Sequence, residues 1–398
     1  WCGARHDEQM SLRILLFGTE FPPSAAGTAS YAQALATGLM RAGADVRVLT
    51  QAPAGIDAAT EGGDQIRRIP HTGSVLRRYW RCRQALQREL AEFQPHCLWT
   101  TNGMGTRVAS LLSSTGTDPL PPMISCVRGS DITTRLPGRT PTRWFESLLH
   151  RRCYRRSAAI AVVSRALCEV AVTKGLPSKH LFLSPPAFDV SLSAGDDGAT
   201  ERSSTTILTV ARLQRQKRID VLLRALANVR VRHQQVRLVI VGDGPQLERL
   251  QKLAVDLDLQ SHVEFGGPLE PRSAELFKRY REAAFFALAS VGEGMGNVFI
   301  EAGAFGLATI GCDDGGTPDV VQHEKTGLLV PPDNEDALAA ALDRLLGEAE
   351  LRQRLGAQAR TWIADHFSIE TLGKTSYQIA QQVVAGSYRG GDWRREDD

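Results

Sequence analysis

A glycine-rich turn between an apolar strand pattern and a helical pattern carries the clearest chemical signal in the sequence. Residues 290–306 read SVGEGMGNVFIEAGAFG and continue the apolar run AAFFALAS. A helix that begins near Asn297 or Val298 presents unpaired backbone N–H groups and the positive end of its dipole, which suits a diphosphate. Glu293 precedes this helix and Glu301 lies one turn inside it, so both carboxylates can face one cleft and bind sugar hydroxyls. A structural preference of acidic residues for a first helical turn, worth about 0.3–1 kcal/mol, is the alternative.

Alternating strand and helix patterns place this turn within an α/β architecture. Short runs rich in Val, Ile and Leu alternate with longer helical patterns, which predicts parallel strands joined by crossover helices. The alternation stops at residues 191–204, whose small, polar and acidic side chains are typical of a linker. We therefore predict a Rossmann-like N-terminal domain over 1–190, a second Rossmann-like domain over 205–372, and a C-terminal helix or tail over 373–398 that packs back on the first domain. Ligands of such sheets bind beyond the carboxyl ends of the strands.

The second half of the chain resembles the retaining GT-B glycosyltransferases of family 4. The glutamate pair described above is similar to that family's Glu-x7-Glu signature. VARLQRQKRIDVLLRAL (210–226) resembles its Arg-Leu…Lys segment, VIVGDGPQLERL (239–250) its GDGP element, and residues 313–342 its GG-x-x-(E/D)-V-V…G-x-L-V segment. The resemblance implies two Rossmann-like domains whose parallel sheets face each other across a cleft. It also implies retaining transfer of a hexose or N-acetylhexosamine from a nucleotide-diphosphate sugar to a glycan or lipid-linked acceptor held by the N-terminal domain.

The resemblance assigns the donor site to the C-terminal domain. It places Arg212 and Lys217 as catalytic cations on the donor diphosphate, where they would stabilise the departing nucleoside diphosphate. Without the surrounding pattern, both would be interpreted as surface cations. The resemblance also places Glu301 on the donor ribose and the catalytic Glu293 opposite the transferred sugar. The further donor-binding residues that it implies are Gly27, Thr28, Gly242, Met295, Gly296, Asn297 and Val298, with Gly242 better suited to a tight turn.

The N-terminal half departs from the family pattern at two places. FPPSAAGTASYAQALATGLMRAG (21–43) is similar to the family's first glycine-rich loop, but Ala-Gly replaces the usual paired glycines. CVRGSDI (126–132) lies where many relatives carry His-Gly, so Arg128 occupies the histidine position. Because an arginine cannot act as a general base near neutral pH, we expect an electrostatic catalytic role for Arg128 on sugar hydroxyls, phosphate or an anionic acceptor. Asp131 is a candidate to orient Arg128 or to bind the acceptor, and a loop-capping aspartate is the alternative.

Positive charge is concentrated in the N-terminal half. Residues 1–195 contain 23 Lys and Arg against 14 Asp and Glu, with seven arginines between Arg67 and Arg88 and seven more between Arg135 and Arg156. Such a surface suits an anionic membrane, a phosphorylated acceptor or nucleic acid, and a solvated arginine-rich surface is the alternative. Nucleic acid is disfavoured because few aromatic residues lie among the arginines. We therefore expect peripheral docking on the inner face of a membrane.

Cysteine and histidine usage predicts a cytoplasmic protein without a bound metal. The seven cysteines are scattered and form no CxxC pair, which is typical of a reducing compartment. No apolar run approaches the ~18 residues of a membrane span. The nine histidines lack the short spacing of zinc ligands. We expect no cofactor beyond the nucleotide sugar as co-substrate, and the resemblance implies that the leaving phosphate itself deprotonates the acceptor.

Two other functions stay open at this point. The first is a nucleotide-sugar hydrolase or epimerase that needs no acceptor. The second is a GT-B scaffold that binds nucleotide but has lost turnover, which Arg128 and the missing glycine would explain.

Overall fold

The computed structural model describes residues 11–24, 27–53, 65–112, 120–129, 151–194, 202–391 and 393. The chain divides into two compact units. The first contains residues 1–162, 168–184 and 369–398, and the second contains 163–167 and 185–368. The chain therefore returns to the first unit for its last segment.

The first unit is built on a parallel sheet. Within its described residues, seven strands follow the order β3-β2-β1-β4-β5-β6-β7. Ile14 of the central strand lies between Val46 and Cys97 of its two neighbours. Their positions are β1 (Arg13–Phe17), β2 (Asp45–Gln51), β3 (Ile66–Ile69), β4 (Cys97–Thr100), β5 (Met123–Val127), β6 (Ala159–Val162) and β7 (Leu181–Leu183).

The second unit repeats this plan with a smaller sheet. Six strands in its described part are parallel and follow the order β10-β9-β8-β11-β12-β13. Two neighbouring inner strands, 285–288 and 309–312, are buried along their whole length, as expected where helices cover both faces. The strands are β8 (Thr206–Val210), β9 (Arg237–Val241), β10 (Val263–Gly267), β11 (Phe285–Leu288), β12 (Thr309–Cys312) and β13 (Gly327–Val330). The predicted α/β fold with two Rossmann-like parallel sheets is therefore confirmed.

Helices connect the strands of both sheets. The described helices are α1 (Gly27–Arg41), α2 (Val75–Phe93), α3 (Gly103–Leu112), α4 (Arg165–Thr173), α5 (Ile219–Val229), α6 (Leu247–Asp256), α7 (Ala274–Glu282), α8 (Asn297–Ala304), α9 (Thr317–Val320), α10 (Glu335–Gly347), α11 (Ala349–His366) and α12 (Ile369–Val384). Local signals set several of their ends. The Ser74 side chain, for example, accepts the Arg77 N–H at the start of α2.

Two glycines join the last helix to the first unit. A Cβ on Gly38 of α1 would come 2.8 Å from the Cα of Gly373 in α12. Because neither residue has a side chain, the two helix backbones can pack directly against each other. The Arg41 guanidinium also donates to the Glu370 carboxylate beside this contact.

Candidate active site

Three loops meet at the carboxyl edge of the second sheet. They follow β8, β11 and β12, which are neighbours in the sheet. The Val291 N–H donates to the Gln216 carbonyl oxygen at 2.9 Å, and the Gly316 N–H donates to the Glu293 carbonyl oxygen at 2.9 Å. These bonds tie the middle loop to both of its neighbours. The site thus lies where ligands of open parallel sheets bind.

The glycines of the middle loop shape the start of α8. Gly292 and Gly296 have φ values of 68° and 76°, a region that favours glycine. Gly296 is the residue before the helix, and no side chain caps it. The helix begins at Asn297, in line with its predicted start, so the first-turn amides of Asn297 and Val298 have no acceptor within the helix. Such amides suit an anionic ligand.

The loop after β12 packs backbone against backbone on this turn. A Cβ on Gly315 would come 2.5 Å from the Glu293 carbonyl oxygen, and one on Gly316 would overlap the Gly294 carbonyl. Glycine at both positions therefore lets two chain segments approach more closely than side chains would allow. This packing fixes the backbone around Glu293.

Two of the predicted catalytic residues, from separate segments, form an ion pair. The Lys217 ammonium donates to Oε1 of Glu293. Only 19% of the Lys217 side chain and 14% of the Glu293 side chain are exposed. The pair therefore places a partly desolvated cation and its counter-ion at the loop that leads into α8.

Glu301 is held by a tyrosine that the sequence analysis did not select. The hydroxyl of Tyr280, on α7, donates to Oε2 of Glu301 at 2.8 Å. The Tyr280 ring is fully buried and stacks on Phe305, with ring centroids 5.4 Å apart and planes 6° apart. Burial raises the pKa of Glu301, while the Tyr280 hydrogen bond and the charge of Arg272 lower it. The spacing of Tyr280 from Leu276 indicates only that the tyrosine faces the core.

Arg212 and Gly242 lie together, but they differ in what surrounds them. The Arg212 side chain is exposed, and among the described residues it has no hydrogen bond or ion pair. Gly242 has a φ of 137°, and a Cβ there would overlap the Ala211 carbonyl oxygen. Gly242 therefore has a packing role beneath the Arg212 loop, and its predicted donor contact stays a prediction. Met295, also predicted for the donor site, is buried.

Arg128 lies at the carboxyl end of β5 in the first unit. Its guanidinium lies over the ring of Tyr31, 3.7 Å from the centroid, which is cation–π geometry. Tyr31 is itself buried, and its hydroxyl shares a 2.7 Å hydrogen bond with Ser184. The arginine is therefore held by an aromatic ring, an arrangement compatible with the predicted electrostatic role. Tyr31 is a second residue that the sequence analysis missed.

The remaining predictions for the first unit concern one helix start and one loop. Gly27 and Thr28 form the first turn of α1, so their backbone amides stand at its N-terminus. Asp131 lies outside the described residues.

The described residues contain no group of three or more His, Cys, Asp or Glu side chains placed to hold a metal ion. Within them, no helix combines the length and apolar character of a membrane span.

Both halves of the chain match glycosyltransferase family models. Residues 26–187 match the glycosyl transferase 4-like domain. Residues 197–362 match the glycosyl transferases group 1 model, which covers the loops described above.

Curated relatives share sequence over about half of their own length. A GDP-mannose-dependent alpha-(1-6)-phosphatidylinositol monomannoside mannosyltransferase of Mycobacterium tuberculosis is 35% identical over 211 residues, covering 49% of this chain and 54% of the relative. A D-inositol 3-phosphate glycosyltransferase of Corynebacterium jeikeium is 35% identical over 223 residues, covering 52% of each.

Solved structures resemble the chain over nearly its full length. A sucrose-phosphate synthase from Thermosynechococcus elongatus has a TM-score of 0.77 and 22% identity, covering 94% of this chain and all of that one. The Anabaena protein HepE in complex with UDP has a TM-score of 0.72 and 16% identity, again covering 94% of this chain and all of that one. At these identities the likeness shows a shared fold. With both of its halves matched by glycosyltransferase family models, the chain belongs to the group 1 glycosyltransferases.

Proposed function

We propose that this chain transfers a hexosyl or N-acetylhexosaminyl residue from a nucleotide-diphosphate sugar to a glycan or lipid-linked acceptor, with retention and without a metal ion. The observation that carries the proposal is the Lys217–Glu293 ion pair at the loop that leads into α8, whose first-turn amides have no acceptor within the helix. A cation, helix amides and two carboxylates at one sheet edge together match the charges and hydroxyls of such a donor.

The ion pair suggests how the donor would be received. In the absence of ligand, Glu293 neutralises Lys217. A diphosphate carries more negative charge than one carboxylate and would compete for the ammonium. Lys217 would then stabilise the charge that develops on the leaving group, and Glu293 would become available to hydroxyls of the transferred sugar. Arg212 would add a second, more exposed cation.

Retention can be achieved without a protein nucleophile. The bond between the anomeric carbon and the phosphate oxygen breaks, and the acceptor oxygen bonds to the same face of that carbon. The acceptor proton passes to the departing phosphate oxygen, so the nucleoside diphosphate leaves with that proton. Arg128 cannot accept this proton near neutral pH. Its place over Tyr31 suits binding an anionic or polyhydroxylated group instead.

The relatives indicate which substrates to test first. One relative is named as GDP-mannose-dependent and as acting on a phosphatidylinositol mannoside, and another as acting on inositol phosphate. We therefore propose GDP-mannose as the first donor and an inositol-containing lipid as the first acceptor.

The first turns of α2 are our candidate for contact with an anionic membrane. Leu76 and Trp80 are 83% and 56% exposed, and the exposed Arg77 lies between them in sequence. Apolar side chains beside arginines suit the boundary between lipid headgroups and acyl chains. In flotation with phosphatidylserine vesicles, changing Leu76 and Trp80 to Ser should abolish binding. The matched change Val231→Ser, at an exposed apolar residue of the second unit, should leave vesicle binding unchanged. Equal flotation of the two variants would show that the first turns of α2 do not contact the membrane.

A thermal-shift screen tests the donor proposal. UDP, GDP, ADP and their sugar conjugates are added to the full chain, and a ligand that binds the native state raises the melting temperature. One nucleotide should give a shift that Glu301→Ala removes and that Glu248→Ala, an exposed glutamate on α6, retains. Absence of any shift would refute the donor site.

Product analysis separates transfer from the other activities. Proton NMR of the reaction with GDP-mannose and an inositol lipid should show a new α-glycosidic signal. A free sugar or an epimer without acceptor would support a hydrolase or epimerase, and nucleotide binding without any product would support a scaffold.

A further inference from the structure

A second concave site lies in the second unit, at the opposite edge of its sheet. It is formed by the C-terminal half of α11 and by the connection that leads into β13, and its volume is about 410 Å³. Because this connection precedes a strand, it stands at the amino edge, whereas the glycine-rich loops follow strands and stand at the carboxyl edge. Its lining includes Gln322, Lys325, Gln358, Thr361, Trp362 and Asp365.

The indole of Trp362 provides a fixed apolar surface in this pocket. The His366 imidazole stacks on it, with ring centroids 3.6 Å apart and planes 30° apart. Nδ1 of His366 also lies 3.0 Å from the Trp362 carbonyl oxygen, which holds the imidazole in place. The imidazole does not line the pocket, whereas the indole does. Trp362 is therefore held by His366 and lines the pocket.

Polar side chains of balanced charge line the same pocket as Trp362. Two primary amides, those of Gln322 and Gln358, each supply donors and an acceptor. Lys325 and Asp365 contribute one positive and one negative charge. A nucleoside diphosphate would meet the Asp365 carboxylate as well as the single Lys325 cation. An aliphatic ligand would cover the polar groups without offering them hydrogen bonds, although the Gln358 oxygen also accepts from the Arg354 guanidinium at 3.4 Å. A neutral ring with an apolar face and a rim of hydroxyls fits both parts of the lining.

We propose that this pocket binds one glycosyl residue of an oligosaccharide, independently of the donor site. The apolar face of the sugar would lie on the Trp362 indole, and its hydroxyls would exchange hydrogen bonds with the two glutamine amides. The pocket volume lies within the range of about 300–1,000 Å³ found for small-molecule sites. Such a site would keep a glycan chain on the protein while its end is extended elsewhere.

The test begins with a glycan microarray probed with the labelled full chain. The oligosaccharide that gives the strongest signal is then titrated by isothermal calorimetry. Trp362→Ala should weaken binding at least about tenfold, and Trp362→Phe should restore part of it because a flat ring remains. Gln358→Ala, at an exposed position, should weaken binding about threefold to tenfold. Gln353→Ala, an exposed glutamine on the same helix that does not line the pocket, is the matched control and should leave binding unchanged.

The same variants keep this proposal separate from the proposed transferase. The melting-temperature shift given by a nucleotide should persist in Trp362→Ala, since the donor loops lie at the other edge of the sheet. No glycan binding on the array, or binding that Glu301→Ala removes and Trp362→Ala leaves intact, would overturn the pocket proposal. Concentration-dependent dimerisation that Trp362→Ala abolishes, without glycan binding, would assign the surface to a second copy of the chain and overturn it equally.

Discussion

The hydrogen bond from Tyr280 to Glu301 can be removed with almost no change in shape. Tyr280→Phe deletes one hydroxyl and keeps the ring, which stacks on Phe305 and also packs against Phe286. The carboxylate loses a donor at 2.8 Å in a largely buried setting. We therefore expect Tyr280→Phe to change the ionisation of Glu301 and the free energy of unfolding. Since only one oxygen atom is removed, the surrounding side chains should not have to repack.

The size of the effect follows from the type of bond. Hydrogen bonds to charged groups contribute about 1.5–3 kcal/mol, and neutral ones about 1 kcal/mol. Burial already raises the pKa of Glu301 and the tyrosine bond lowers it, so the variant should raise this pKa further. A higher pKa widens the pH range in which Glu301 is protonated, and a neutral carboxyl group loses less than an ionised one when its donor is removed, which limits the loss. We expect the free energy of unfolding to fall by about 1–2 kcal/mol and the melting temperature by about 2–8 °C.

Nucleotide binding measured against pH provides the decisive readout. If ionised Glu301 accepts hydrogen bonds from the donor ribose, affinity should fall as pH falls through its pKa. In Tyr280→Phe the midpoint of this fall should move to higher pH. Tyr377→Phe is the matched control, because the Tyr377 hydroxyl has no hydrogen bond among the described residues. An unmoved midpoint, with stability reduced as expected, would refute the idea that Tyr280 positions Glu301 for the ligand.

Three further predictions follow from the same site. Gly242→Ala should lower the free energy of unfolding by about 2–4 kcal/mol in urea denaturation, because its φ is 137° and a Cβ would overlap Ala211. Gly347→Ala, where a Cβ meets no atom within 4 Å, should leave the free energy of unfolding unchanged. Equal losses of stability in the two variants would contradict this explanation. Lys217→Met should weaken the binding of a nucleoside diphosphate about tenfold in calorimetry and leave the binding of the matching nucleoside unchanged. Equal weakening of both would show that Lys217 does not contact the phosphates. Because the pKa of Glu301 is raised above its unfolded value of 4.5, its contribution to stability should be greatest below that pH and fall as pH rises through the folded pKa. Glu301→Gln should flatten that part of the curve, and an unchanged curve would show that another group causes it.

The structure also shows what surrounds Arg128, which occupies the position where many relatives carry a histidine. The Arg128 guanidinium lies over the Tyr31 ring, and the Tyr31 hydroxyl is hydrogen-bonded to Ser184, which follows β7. The guanidinium therefore lies against an aromatic ring, and a cation in this position can attract electron-rich groups of a substrate. Neither partner can be inferred from the local segment around residue 128.

Local features of the sequence determined the plan of the fold and the position of the glycine turn. Runs of Val, Ile and Leu between helical patterns predicted parallel sheets because buried strands need apolar side chains on both faces. The start of α8 at Asn297 was predictable because a glycine-rich segment directly precedes an apolar helical pattern in the sequence. In the structure, Gly292 and Gly296 of that segment have positive φ. These signals depend on neighbouring residues, so no knowledge of distant parts of the chain is required.

Only the tertiary structure decided which side chains meet. Lys217 and Glu293 are brought together because β8 and β11 are neighbours in the sheet although two strands separate them along the chain. Tyr280 reaches Glu301 because α7 and α8 pack on one core. Hydrophobic periodicity indicates that a residue faces the interior, but it does not specify which residue lies opposite. That choice depends on strand order and helix packing, which arise from the burial of the whole domain core.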